Sequence, residues 1–342
     1  MPSVSVSRCW FESNWCETTS DGGAGAIAIS GYAALGGSRN TFIGNHGPTG
    51  AFAGPMYGIS ETSFFANVGL LGGAISVRGN QFIPPYVFTS VFEGNAASSA
   101  GGAIWTADFV RIENCALVGN RAGSVGGAIA ANNTSIRFCT IAGNSAPFGG
   151  GVHITGLGVS PRLDYSLLWG NSVSPGGGQW SQGVSQLTIV KSVIQGGLAG
   201  VYNAFGGSAS GSVYNFDPMF RNLAGPDGDP ARYEDNDFRL SQGSPAIDLS
   251  GLASPGYDYD VLGKYRVLGP FSDLGAAETP VCQTDLNDDG VADQADLRYL
   301  ITVISGGFNP YHIDPDINQD GAADQADVDT LINIIAGGNC PL

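Results

Sequence analysis

The chain has 342 residues, 53 of them Gly, with 43% hydrophobic and only 13% charged residues. That is too apolar for a disordered chain, and the glycines follow no collagen period. No apolar run reaches the ~18 residues of a membrane-spanning helix. A net charge of −16 disfavours nucleic acid and anionic membranes as partners. The charge is concentrated: Cys282–Leu342 holds eleven Asp and one Arg, a net of −10, so residues 280–342 are read as a domain separate from residues 1–279.

In chain order, a short apolar strand ending in Asn recurs at Asn14, Asn45, Asn67, Asn95, Asn120, Asn144 and Asn171, at intervals of 22 to 31 residues. A Gly-Gly-Ala-Ile motif or its variant follows at Gly72–Ile75, Gly101–Ile104, Gly126–Ile129 and Gly150–His153. Short strands and Gly-rich turns at this period predict the coils of a parallel β-solenoid, a mainly β fold. Aligning the coils on Asn predicts an inward stack of Phe11, Phe42, Phe64, Phe92, Leu117, Ile141 and Leu168. A second is formed by Val87, Ile112, Ile136 and Leu163. Cys9, Ser90, Cys115, Cys139 and Ser166 form a column of small residues where the interior is tight. The Asn column itself reads as a corner ladder: Asn tolerates left-handed backbone, and amides ~4.8 Å apart can bond from coil to coil. Cys9 and Asn14 already stand in their columns, with no secretion signal visible and no capping helix expected in the residues ahead of them. The sequence is therefore expected to begin inside a coil, with upstream sequence missing or with a partner covering an end open to end-to-end self-association.

The chemistry-bearing residues of this body are sparse. Glu113, Arg137 and Asp164 share one column on three consecutive coils. They read either as an exposed charge ladder or as an acid and a base flanking an Arg, the apparatus of a lyase or glycosidase. The residue after each Gly-Gly-Ala-Ile should point outward. Trp105 and His153, with Trp180 as the next expected member, would then form a strip able to stack sugar rings of a polysaccharide. Asp227, Asp229, Glu234, Asp235 and Asp237 form an acidic cluster, read as a solvated loop or a third cation site. Cys115 and Cys139 should be buried thiols, because parallel side-by-side Cβ vectors suit a bridge poorly; Cys9 and Cys16 could pair. His46 and His312 have no partner at metal or triad spacing and read as surface residues.

In the tail, Asp285, Asn287, Asp289, Val291, Asp293 and Asp296 occupy positions 1, 3, 5, 7, 9 and 12 of a twelve-residue loop. Asp316, Asn318, Asp320, Ala322, Asp324 and Asp327 repeat the pattern 31 residues later. Oxygen donors around a sharp Gly turn, with a backbone carbonyl from position 7, are the chemistry that holds Ca²⁺. Each loop leads into an apolar helix, Leu297–Ile304 and Val328–Ile335, stopped by Gly306-Gly307 and Gly337-Gly338. Cys282 and Cys340 bracket the tail, as a disulfide clasp or as two thiols.

Two resemblances follow from these motifs. The paired Gly-Gly-Ala-Ile and Phe-x-x-Asn repeats are similar to those of right-handed parallel β-helix proteins, including the polymorphic outer-membrane type. Asp217–Phe220, Phe238–Leu240, Gly243–Asp248 and Asp273–Glu278 resemble the closing region of such bacterial surface and secreted proteins, placed at 216–279. This resemblance implies an extracellular or cell-surface setting but no single activity. The duplicated loop with Asp at position 12 and no helix before the first loop resembles a type I dockerin, which implies a cohesin-type protein partner. The resemblance places partner contacts at Gln294-Ala295 and Gln325-Ala326, and the identity of the two halves implies docking in either of two orientations. The expectation is therefore an extracellular calcium-binding recognition module tethered through its tail. A carbohydrate-active enzyme or a self-assembling structural solenoid are the alternatives.

Overall fold

A computed structural model of the chain describes residues 3–17, 23–29, 34–77, 84–172, 178–183, 185–203, 207–241, 243–279, 284–287, 289, 291–310, 313, 315–318 and 322–337. Residues up to Tyr214 form a parallel β-helix of about seven turns. Each coil contributes strands to three faces. The first face includes Phe52–Ala53, Ile75–Val77, Val152–Ile154, Trp180–Gln182 and Val201–Asn203. The second includes Met56–Ser60, Tyr86–Phe88 and Arg162–Asp164. The third runs from Trp10–Glu12 through Val91–Glu93, Ala116–Val118 and Thr140–Ala142 to Leu167–Trp169. Two long strands, Ile104–Glu113 and Ile129–Arg137, bend across the first two faces and pair along most of their length.

The interior is built from the predicted stacks. Phe11, Phe42, Phe64 and Phe92 stack with centroids 4.7–4.9 Å apart and planes within 3–8° of parallel. Over these four coils the column is therefore barely rotated from one coil to the next. Ile112, Ile136 and Leu163 are likewise fully buried.

The Asn ladder is continuous. Asn95 Nδ2 donates to Asn120 Oδ1 at 2.9 Å, Asn120 Nδ2 to Asn144 Oδ1 at 2.9 Å, and Asn144 Nδ2 to Asn171 Oδ1 at 2.9 Å. Each oxygen also accepts the backbone N–H of the preceding Asn. Gln179 ends the run, its Oε1 accepting from Asn171 Nδ2 at 2.8 Å. The left-handed backbone at this corner is not taken by Asn, contrary to expectation. It falls on the residue before it: Gly44, Gly94, Gly119, Gly143 and Gly170, with Ser13 and Ala66 in the remaining coils. This turn aims the next side chain inward, where an amide can accept from one coil and donate to the next along the stack.

The column of small residues is a second ladder rather than only a tight spot. Thr62 N donates to Ser90 Oγ at 3.2 Å and Cys139 N to Ser166 Oγ at 3.0 Å, while Ser90 Oγ and Ser166 Oγ donate to carbonyls two residues back. These contacts stabilise a turn at which Arg39, Glu61, Thr89, Asn114, Phe138 and Tyr165 all have φ between +43° and +58°. Cys115 and Cys139 are buried thiols, and no disulfide joins Cys9 to Cys16. Cys282 and Cys340 lie outside the described residues, as does His312. His46 is half-buried and stacks on Trp15 at 3.9 Å.

After the last coil the chain doubles back as a strap along the third face. Phe220–Asn222 and Asp237–Leu240 pair antiparallel. Phe238, Ala276 and Ala277 pack on Ala116 and Val118, and Leu240, Ala246 and Leu274 pack on Leu167 and Val193. The tail has its own core of Leu286, Leu300, Ile313, Ile317, Val328 and Leu331 around helices α1 (Gln294–Ile304) and α2 (Gln325–Ile335). Both helices start three residues before the apolar segments suggest, because Asp293 and Asp324 cap them. Gly306 and Gly337 end them with φ of +86° and +90°. No helix among the described residues is long and apolar enough to cross a membrane.

Candidate functional site

Glu113, Arg137 and Asp164 do align on adjacent strands, but they form neither an exposed ladder nor an open acid–base pair. Each carboxylate pairs within its own strand, Glu113 with Arg111 at 2.6 Å and Asp164 with Arg162 at 2.6 Å. The strap roofs the column. Tyr257 donates its hydroxyl to Glu113 Oε2 at 2.6 Å, and Arg137 donates to the Pro255 carbonyl at 2.9 Å. The Arg137 guanidinium lies against the rings of Phe138, Tyr165 and Tyr257. Glu113 and Asp164 are consequently buried, and burial raises the Asp164 carboxyl above its usual range. These residues seat the strap. The sequence places the column correctly but not its roof, because Tyr257 lies more than a hundred residues downstream; the i, i+2 spacing of Arg111–Glu113 and Arg162–Asp164 is the strand signal, not used above, that points to the carboxylates being paired.

Within the strap, Arg266 joins residues of the closing motifs in a buried polar latch. Arg266, 1% exposed, pairs with Glu278 at 2.6 Å, donates to the Gly275 carbonyl at 2.6 Å, and lies 4.6 Å from the Phe138 ring centroid. Asp273 accepts from the backbone N–H of Asp248 and Thr279. Burial raises its carboxyl to about 6. Glu93 lies under the same strap, and burial pushes its carboxyl up to about 8. Three of the five members of the acidic cluster pair with arginines: Asp227 with Arg232, Asp229 with Arg121 and Asp237 with Arg239. Between the strap and the coils lies a cavity of about 760 Å³ bordered by the Arg39–Glu61 pair, Phe88, Tyr257, Asp258 and Tyr259.

On the first face, the register differs from expectation by one residue at the strand Trp180–Gln182. Trp180 pairs with Val152, and Ser181 with His153. Trp180 thus points inward and is fully buried, its indole donating to Gln182 at 3.0 Å. Gln179 stands where the previous coil has Gly151, so the Gly-rich run could not fix the alignment. The outward column reads Ser76, Trp105, Ala130, His153, Ser181 and Tyr202.

In the tail, the two loops make matching contacts. Asp296 is fully buried, and its oxygens accept from the backbone N–H of Leu286, Asn287 and Asp293. Asp327 is fully buried and accepts from Asn318 and Asp324. Asp293 and Asp324 each accept from the N–H two residues on. Asp289 N donates to Asp285 and Asn287, which wraps the first loop. Asp316 is buried 3.7 Å from Lys264 of the strap. Asp320 lies outside the described residues. Among the described residues no group of three or more His, Cys, Asp or Glu side chains is placed to hold a metal ion; the donor set is nevertheless all oxygen, the chemistry that suits Ca²⁺. Gln294-Ala295 and Gln325-Ala326 are exposed on the first turns of α1 and α2.

No protein-family model matches this chain, and no curated protein or solved structure matches it.

Proposed function

We propose that this chain is an extracellular, calcium-binding recognition protein: the β-helix is a non-catalytic binding body, and the tail is a dockerin-like module that docks onto a cohesin-type domain. The observation that carries the reading is the duplication of one loop–helix unit down to individual hydrogen bonds. A buried twelfth-position Asp closes each loop, and each helix presents the same exposed Gln-Ala pair. Ile301 and Ile332, 31 residues apart, are 48% and 47% exposed on the two helices, which extends the duplicated surface beyond that pair. In this reading Asp285, Asn287, Asp289, Asp293 and Asp296, with the Val291 carbonyl, hold one Ca²⁺. Asp316, Asn318, Asp320, Asp324 and Asp327, with the Ala322 carbonyl, hold the other. The metal would neutralise part of the tail's charge and lock the loops on which the helices are capped.

Calorimetric titration of the full chain with CaCl₂ should show two equivalents bound, and Asp285→Ala with Asp316→Ala should remove both. Capture by immobilised type I cohesins should require Ca²⁺ and weaken in Gln294→Ala/Gln325→Ala. Absence of calcium uptake by the folded chain would sink the reading. A carbohydrate-active enzyme remains the second reading, favoured by the cavity beside Arg39, Glu61 and Asp258. Newly formed chain ends on incubation with polysaccharides would establish it.

A further inference from the structure

The outward column of the first face alternates in size. Trp105, His153 and Tyr202 are separated by Ala130 and Ser181, and Ser76 precedes Trp105. The small members are buried, Ser76 at 2%, Ala130 at 0% and Ser181 at 1% exposure, although the column points away from the core. The rings are therefore the parts that reach solvent: Trp105 and His153 are half-buried, and Tyr202 is 40% exposed. His153 is held by a 2.6 Å contact between Nδ1 and Ser181 Oγ. Phe148, 45% exposed, widens the end of the strip beside Tyr202 at 6.3 Å.

The repeat distance follows from the coil. Hydrogen-bonded strands lie about 4.7–4.9 Å apart, the spacing that the phenylalanine stack shows in the preceding coils, so a ring on every second strand of the continuous ladder from Trp105 to Tyr202 recurs about every 9.5 Å. An extended β-linked glycan turns over successive sugars, so the same sugar face recurs once per disaccharide, a closely similar length. The column itself is uncharged, and Asp108 is the charged residue that stands beside it, in the bulge between Thr106 and Phe109. The next outward positions, Ala107, Asn132 and Thr155, carry no charge, and burial lowers the His153 pKa, keeping the ring neutral. On a chain of net charge −16 such a face suits a neutral polysaccharide and not a polyanion.

We propose that Trp105, His153 and Tyr202 form a binding strip for an extended, neutral β-1,4-linked glycan, each ring stacking on every second sugar. This rests on the reading of the β-helix as a recognition body, and it replaces Trp180 by Tyr202. Affinity electrophoresis of the full chain through gels containing hydroxyethyl cellulose, pullulan or polygalacturonate tests it. The wild-type chain should be retarded by the neutral β-glucan only, and Tyr202→Ala should weaken that retention about tenfold. Trp105→Ala should act similarly, while Tyr259→Ala, at the cavity on the other side, should retain full binding. Circular dichroism identifies any variant that fails to fold, and the exposed Tyr202 position carries the test if Trp105→Ala does. No retardation of the folded wild-type chain overturns the proposal, as does equal retardation by pullulan. Loss in Tyr259→Ala instead of Tyr202→Ala also overturns it. Calcium uptake and release of chain ends are separate measurements, so the failure of the strip is distinguishable from the failure of the recognition reading.

Discussion

A buried amide that both donates and accepts along a stack is hard to replace. Asn120 accepts from the N–H and side chain of Asn95 and donates to Phe92 O and Asn144 Oδ1. Asn120→Ala leaves these groups unpaired in the interior, and we expect a loss of about 3 kcal/mol or more in denaturant unfolding. Glu93 makes a prediction with a definite sign. Its carboxyl is raised from 4.5 to about 8 by burial under the strap, so the fold holds the protonated form. Its contribution is complete below the unfolded pKa and is lost as pH rises through 8. Unfolding at pH 5 and pH 9 should show stability falling with pH by an amount on the order of a few kcal/mol. Glu93→Gln should remove that share of the fall; an unchanged pH profile in the variant would place the charge elsewhere.

At the scale of the coil, the turn before each Asn serves two requirements. Gly119 has φ +62°, and a Cβ there would coincide with the carbonyl oxygen of Pro230 in the strap. Gly94 faces Ala231 in the same way. Gly119→Ala therefore meets left-handed strain and a backbone clash together, and should cost at least about 2 kcal/mol. Ala66 shows that the strain alone is tolerated, since it has φ +51°. An alanine at Gly170, where no strap atom lies closer than 3.8 Å, should accordingly cost less. Comparing the two variants by thermal unfolding separates conformational strain from strap contact.

Across the molecule, the strap and coils are one packed unit joined by charge as well as by apolar surface. Arg266 is the central group, placed between Glu278, two carbonyls and the Phe138 ring. Arg266→Ala leaves Glu278 and Asp273 buried without their cation, which should cost about 3–5 kcal/mol. Because the strap roofs Glu113 and Arg137, limited proteolysis of this variant should cleave first within residues 250–270. Cleavage in the coils at the same rate would show that strap and coils open together.

The parallel β-helix, its stacks and the Asn ladder were legible because a repeated coil writes one structural position many times, and repetition averages out local ambiguity. The duplicated tail pattern was legible for the same reason. Where the repeat became irregular, legibility failed: Gln179 in place of a glycine shifted Trp180 from surface to core. Within the regular coils the chain by itself determined which residues face inward, since strand alternation and a constant repeat leave one consistent alignment there. Only the tertiary structure decided what covers the outward residues. The roof over Glu113, Arg137 and Asp164 comes from a segment that folds back across the coils, and such a long-range contact leaves no period in the sequence.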